Sequence, residues 1–153
     1  MSEQADMQTV AVLGAGSYGT ALAIQMARSK RPVLLWGRDA EAIEAMAESR
    51  ENSRYLPGCD LPDSLEPVAD LASVLERAKD IVLAVPSHSI RQMLETIQPM
   101  LTGQRLACAA KGLEPGTGRL LDDVMADVLG EDYPVAFIAG PTFALEVGRG
   151  TPT

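Results

Sequence analysis

Cysteine is scarce: the 153 residues hold two, Cys59 and Cys108. Two cysteines make neither a disulfide framework nor a metal knuckle. Both are read as reduced thiols, Cys108 inside an apolar run of the core and Cys59 in a Pro/Gly loop. Histidine is scarcer still, with His88 alone, and no metal site is expected. Basic residues are outnumbered: 13 Lys and Arg stand against 21 Asp and Glu, a net charge of −8. That balance speaks against nucleic acid or an anionic membrane as partner. An acidic chain that binds an anion needs a local positive feature, so basic residues in loops carry interest. No apolar run reaches the roughly 18 residues of a membrane span, and no secretory start is visible. A cytoplasmic protein is expected. No internal repeat of 20–50 residues appears, and the length suits one domain with one core.

What the sequence does have is a regular alternation of apolar runs and amphipathic stretches. Residues 1–8 are polar and read as a frayed N-terminus. Thr9–Leu13, Val33–Trp36 and Ile81–Val85 are apolar throughout, as strands buried on both faces are. Leu106–Ala110 and Val135–Ala139 read as two more strands, and a weaker one lies near Glu66–Ala69. Between them, helices are expected over Ser17–Arg28, from Asp39 to about Ser49, from Asp70 with Leu71, Val74 and Leu75 inward, from Ser87 with Ile90, Met93, Leu94 and Ile97, and over Gly118–Leu129. A final helix begins near Phe143. Arg50–Pro62 is a loop. Strand–helix alternation implies right-handed crossovers and a mainly parallel sheet. The fold class is therefore α/β, a doubly wound sheet of the Rossmann type. Ligands of such sheets sit outside the carboxyl ends of the strands.

Gly14-Ala15-Gly16-Ser17-Tyr18-Gly19 stands at the first of those ends. G-x-G-x-x-G recurs by chance, but here it follows a strand and opens a helix, as its mechanism requires. Gly14 makes the tight turn, Gly16 lets a pyrophosphate approach the backbone, and Gly19 lets helix and strand pack. The free N–H groups and dipole of the helix receive the anion, so an acidic chain binds a diphosphate without a basic patch. About 20 residues further on, an NAD-selective site places Asp or Glu on the ribose. Gly37 occupies that slot and Arg38 follows. Gly37 leaves room for a 2′-phosphate, and Arg38 offers it a planar fork of donors. The expected cofactor is NADP(H) in preference to NAD(H), which is still admitted. Arg38 also reads as a solvated helix-start residue. Asp39 can pair with Arg38 or take the ribose itself, but is assigned to capping the next helix.

Six segments in order then resemble bacterial NAD(P)-dependent glycerol-3-phosphate dehydrogenases: Val12-Leu-Gly-Ala-Gly-Ser-Tyr-Gly-Thr-Ala-Leu-Ala23, Leu35-Trp-Gly-Arg38, Tyr55-Leu-Pro57, Val85-Pro-Ser87, Lys111-Gly-Leu-Glu114 and Gly140-Pro-Thr-Phe-Ala144. The resemblance implies reversible reduction of dihydroxyacetone phosphate to sn-glycerol 3-phosphate, which feeds phospholipid synthesis. It implies that Gly14, Gly16, Ser17, Tyr18, Gly19, Arg38, Tyr55, Pro86 and Ala144 serve the cofactor. Lys111 would touch both cofactor and a small phosphorylated substrate, and Gly140 and Thr142 the substrate. Lys111 also reads from the residues alone, as an ammonium at a strand end able to hold a carbonyl or phosphate, or as a surface lysine in a turn. Pro141 would fix the turn after Gly140, and Thr142 would cap the last helix. His88 is tempting as a general acid–base, but the resemblance assigns it no catalysis, and a helix-start role is favoured. The resemblance covers residues 9–153 as a dinucleotide-binding domain truncated at its C-terminal end. It places the general acid–base lysine, much of the phosphate site and a homodimer contact in an all-helical domain that lies beyond. No catalytic residue is therefore expected in this chain, and little turnover by it alone. The competing readings are the cofactor domain of another NADP-dependent reductase and a non-catalytic nucleotide sensor.

Overall fold

A computed structural model describes residues 7–140 and 142–152. Pro141, Thr153 and most of the expected frayed segment lie outside the described residues. Gln8 is described, and its carbonyl accepts a hydrogen bond from Arg31 Nε at 2.9 Å.

Six strands form one parallel sheet: β1 Val10–Leu13, β2 Val33–Trp36, β3 Leu65–Val68, β4 Asp80–Leu83, β5 Arg105–Cys108 and β6 Val135–Phe137. Their spatial order is β3-β2-β1-β4-β5-β6. The sheet therefore starts in the middle, winds to one edge, returns across β1 and winds to the other. β1 and β4 are neighbours with no direct crossover between them. Their carboxyl ends diverge into loops of opposite direction and leave a crevice there.

The helices are α1 Ser17–Ala27, α2 Ala40–Ser49, α3 Leu71–Arg77, α4 Ile90–Ile97, α5 Leu121–Leu129 and α6 Ala144–Arg149. Alternate strand residues feed two cores. Val10, Val12, Val33, Leu35 and Val82 face Ala23, Ile24, Ile43 and Met46 of α1 and α2, with Ala144 and Val147 of α6 packed beside them. Ala11, Leu13, Leu34, Ile81, Leu83, Leu106 and Cys108 face α3, α4 and α5 on the other side. β1 and β2 are buried along their whole length, which is why they read as continuous apolar runs. Both cysteines are buried and free, and burial pushes the Cys108 thiol up.

The differences from expectation are at element ends. β4 stops at Leu83, because Ala84 and Val85 leave the sheet to pass over Gly14. β5 and β6 likewise end two residues early. A 3₁₀ turn over Ser87–Ser89 precedes α4. α5 begins at Leu121 rather than Gly118: Gly116 and Gly118 take φ of +86° and +67°, outside the right-handed helical region. Residues 113–120 instead close on themselves through a Leu113–Leu120 bridge.

Candidate functional site

The carboxyl ends of β1, β2, β4 and β5, with the loop after α2 and the start of α6, line one cleft of about 1180 Å³. Gly14, Gly16, Ser17, Tyr18, Gly19, Arg38, Tyr55, Pro86, Lys111, Thr142 and Ala144 all line it. Gly140 does not, but its carbonyl accepts a hydrogen bond from Lys111 Nζ at 3.0 Å. Of the residues 87–89, Ser87 and Ser89 line the cleft and His88 does not. His88 lies in the 3₁₀ turn that leads into α4.

The three fingerprint glycines have three different causes. Gly14 has φ +122°, and a Cβ there would lie 2.7 Å from the carbonyl carbon of Ala84. A Cβ on Gly19 would overlap the carbonyl oxygen of Gly14. Both are dictated by the chain's own packing. Gly16 is different: a Cβ there would meet nothing within 4 Å. No packing within the described residues requires glycine at 16, so the space it leaves open belongs to the cleft.

The helix behind this loop is open as well. α2 and α3 are each closed by an aspartate, Asp39 accepting from Ala42 N–H at 3.1 Å and Asp70 from Ala72 N–H at 3.1 Å. α1 has Gly16 at its N-cap, no side-chain cap and no acidic residue in its first turn. Its first N–H groups are left without a side-chain partner, at the positive end of an eleven-residue helix. Bare loop, uncapped helix and open cleft together fit a diphosphate.

At the β2 end, Asp39 is committed to its cap, as expected. Arg38 is exposed in the cleft and has no carboxylate partner among the described residues. Gly37 lines the cleft and also has a packing reason to be glycine. A Cβ at Gly37 would lie 2.8 Å from Ile43 Cδ1 and 2.9 Å from Ala15 Cβ. Its missing side chain makes room for α2 against the phosphate loop, so its presence alone does not argue for a ligand phosphate. Any preference for a 2′-phosphate therefore rests on Arg38. Trp36, tied through Nε1 to the Ala69 carbonyl at 3.0 Å, lines the same end. Tyr55 is 49% exposed there, with the Arg54 guanidinium 5.1 Å from its ring centre.

At the other end, Lys111 Nζ sits 5.2 Å from the centre of the Tyr18 ring, a cation–π distance. The Tyr18 hydroxyl is 3.3 Å from Thr142 Oγ1. Residues from α1, the β5 end and the β6 end thus meet around one ammonium. The loop after Lys111 is pinned by Glu114, which accepts from Arg91 Nε at 2.7 Å and from the Thr117 hydroxyl at 2.6 Å. These bonds hold the Glu114 carboxyl below the usual carboxylate range. Asp127, bonded to Arg119 and Arg91, is lowered in the same way.

Two buried polar residues beside the phosphate loop have no expectation attached to them, Asn52 and Thr20. Asn52 lies in the loop expected over Arg50–Pro62, and Thr20 in the helix expected over Ser17–Arg28. They hydrogen-bond to each other at 2.8 Å across 32 residues of sequence, a pairing for which local sequence carries no signal.

Residues 9–153 match the family described as the NAD-dependent glycerol-3-phosphate dehydrogenase N-terminus. The chain belongs to that family. It is 51% identical over 150 residues to the glycerol-3-phosphate dehydrogenase [NAD(P)+] of Idiomarina loihiensis, covering 96% of this chain and 45% of that protein. A crystal structure of glycerol-3-phosphate dehydrogenase from Coxiella burnetii superposes with a TM-score of 0.89 at 39% identity, over 95% of this chain and 45% of that one. The yeast Saccharomyces cerevisiae glycerol-3-phosphate dehydrogenase shares the fold at 24% identity, with a TM-score of 0.79 over 93% of this chain and 44% of its own. The chain thus spans a little under half the length of the glycerol-3-phosphate dehydrogenases it matches. No helix among the described residues is long and apolar enough to cross a membrane.

Proposed function

We propose that this chain is the cofactor-binding half of an enzyme that reduces dihydroxyacetone phosphate to sn-glycerol 3-phosphate with NADPH in preference to NADH. The observation that carries the reading is the open N-terminus of α1, with Gly16 bare and the cleft in front of it. The diphosphate rests on the first N–H groups of α1, and Gly14 and Gly19 hold the loop in the shape that presents them. Tyr55 and Arg38 flank the adenosine, Arg38 reaching the 2′-phosphate with paired N–H donors. Ser17, Pro86 and Ala144 complete the walls. The nicotinamide supplies the hydride when bound. Among the described residues, Lys111 is the one ammonium lining the β5 end of the cleft. Held by Gly140 and by the Tyr18 ring, it stabilises negative charge on the substrate oxygen or its phosphate. Gly140 and Thr142 form the rest of the substrate contact in this chain.

The residues 9–153 act as one dinucleotide-binding unit. The general acid–base group and the homodimer contact lie in the part of the relatives that these residues do not span. The protein is cytoplasmic, and its product enters glycerophospholipid synthesis. The test is NADPH oxidation by the full protein carrying this chain, with dihydroxyacetone phosphate as sole acceptor. Turnover with formation of glycerol 3-phosphate, lost in Lys111→Met, supports the reading. Turnover with a 2-ketoacid and none with dihydroxyacetone phosphate replaces it.

A further inference from the structure

The loop between α2 and β3 is fastened to the phosphate loop by one side chain. Asn52 is 5% exposed and uses all of its amide. Its Nδ2 donates to the Ala15 carbonyl at 3.0 Å and to Thr20 Oγ1 at 2.8 Å. Its Oδ1 accepts from the Tyr55 N–H at 3.2 Å, and its own carbonyl accepts from Leu56 N–H at 2.8 Å. Ala15 lies inside the phosphate loop, between Gly14 and Gly16. Thr20 donates its backbone N–H to the Gly16 carbonyl at 3.0 Å, the bond that closes the loop into α1. One amide therefore grips the phosphate loop at two points and the Tyr55 turn at a third.

We propose that Asn52 is a positioning residue that couples the phosphate loop to the Tyr55 wall of the cleft, so that each holds the other in its ligand-binding shape. The proposal rests on the dinucleotide reading for its effect on affinity, not for the coupling itself. The chemistry needs an amide. An apolar side chain of that size fills the space but leaves the Thr20 hydroxyl, the Ala15 carbonyl and the Tyr55 N–H without their partner. A carboxylate keeps the Tyr55 bond and sets an acceptor against the Ala15 carbonyl.

The first test needs no ligand. In Asn52→Ala, amide hydrogen exchange resolved by NMR accelerates at Thr20 and at Tyr55 and Leu56 together, while Val12 and Leu83 in the sheet exchange as before. Acceleration confined to Tyr55 and Leu56 makes Asn52 a local turn cap and overturns the proposal. Equal acceleration everywhere makes it a core-packing residue and also overturns it. If Asn52→Ala does not fold, Thr20→Val carries the same test, because it removes one bond and keeps the shape. The second test is a double-mutant cycle with Tyr55→Leu, read as the dissociation constant for NADPH. Asn52→Ala weakens binding roughly tenfold or more, and adding Tyr55→Leu weakens it little further. Multiplying effects overturn the coupling. If the wild-type chain binds no NADPH, the dinucleotide reading fails, and the exchange result still decides the coupling.

Discussion

At the β1–β2 end of the cleft the loop that carries Tyr55 is tied to the fold by buried and half-buried polar bonds. Asn52 and Arg50, whose guanidinium donates to the Pro62 and Leu65 carbonyls at 2.7 and 2.8 Å, draw the whole 50–62 loop against the phosphate loop and β3. At the β5–β6 end Lys111 is exposed and held by the Gly140 carbonyl and the Tyr18 ring, and the half-buried Tyr18 reaches Thr142 through its hydroxyl. Exposed apolar residues gather at that end as well: Leu113, Leu120, Phe137 and Phe143, the last 73% exposed. The difference separates two tasks. On the proposed reading a diphosphate would meet backbone N–H groups whose positions must be fixed in advance, and the polar ties at that end serve to fix them. On the same reading a small substrate would be met by the long, rotatable ammonium of Lys111, at an end with fewer polar ties.

The contrast sharpens most at the glycines. Gly19→Ala is the largest expected effect, because its Cβ overlaps the Gly14 carbonyl. We expect a loss of about 3 kcal/mol or more in a urea melt, or no folding at all. Gly16→Val is the opposite case. Its side chain enters open space, so the stability cost is only that of a poorer N-cap, about 1 kcal/mol, while NADPH affinity falls about 100-fold because the diphosphate no longer reaches the N–H groups. A Gly16→Val protein that binds NADPH as wild type does would break the distinction. Next comes Lys111→Met in the full protein. Exposed and bonded once, it is expected to leave the melting temperature unchanged and to lower kcat/KM for dihydroxyacetone phosphate about 100-fold or more. Arg38→Gln is expected to weaken NADPH about tenfold and leave NADH unchanged, measured as a ratio of dissociation constants.

How much of this could be read from the chain depends on range in sequence. β1 and β2, the glycine loop and the caps Asp39 and Asp70 are local patterns, and the structure matches them. The start of α5 was misplaced because two glycines with left-handed φ look, in sequence, like ordinary loop residues leading into a helix. Gly37 was given a ligand's reason because Ile43 and Ala15, which crowd it, come from two other elements. Asn52 was missed for the same cause: nothing near it in sequence says that a loop amide will be buried against α1. The fold is carried by local periodicity; the bracing of the phosphate loop by Asn52 is carried by contacts across 30 residues or more.

The smallest expected effect lies in the braces of the open end. Glu114 is held below its ordinary pKa by Arg91 and Thr117. Its contribution to stability is complete above the unfolded carboxylate value of about 4.3 and is lost as pH falls through the lower folded value. Glu114→Gln is therefore expected to flatten the acid limb of the stability–pH curve below about pH 4 and to leave NADPH affinity at pH 7 unchanged.

A dinucleotide seated on α1 would bring its adenosine beside Trp36. Trp36 is the only tryptophan in the sequence and lines the cleft two residues before Arg38. The most direct measurement is its fluorescence as this chain is titrated with NADPH and, separately, with NADH. Saturable quenching by both, at lower concentration for NADPH and with that advantage shrinking as salt rises, is the predicted result. No saturable change with either nucleotide would contradict the account.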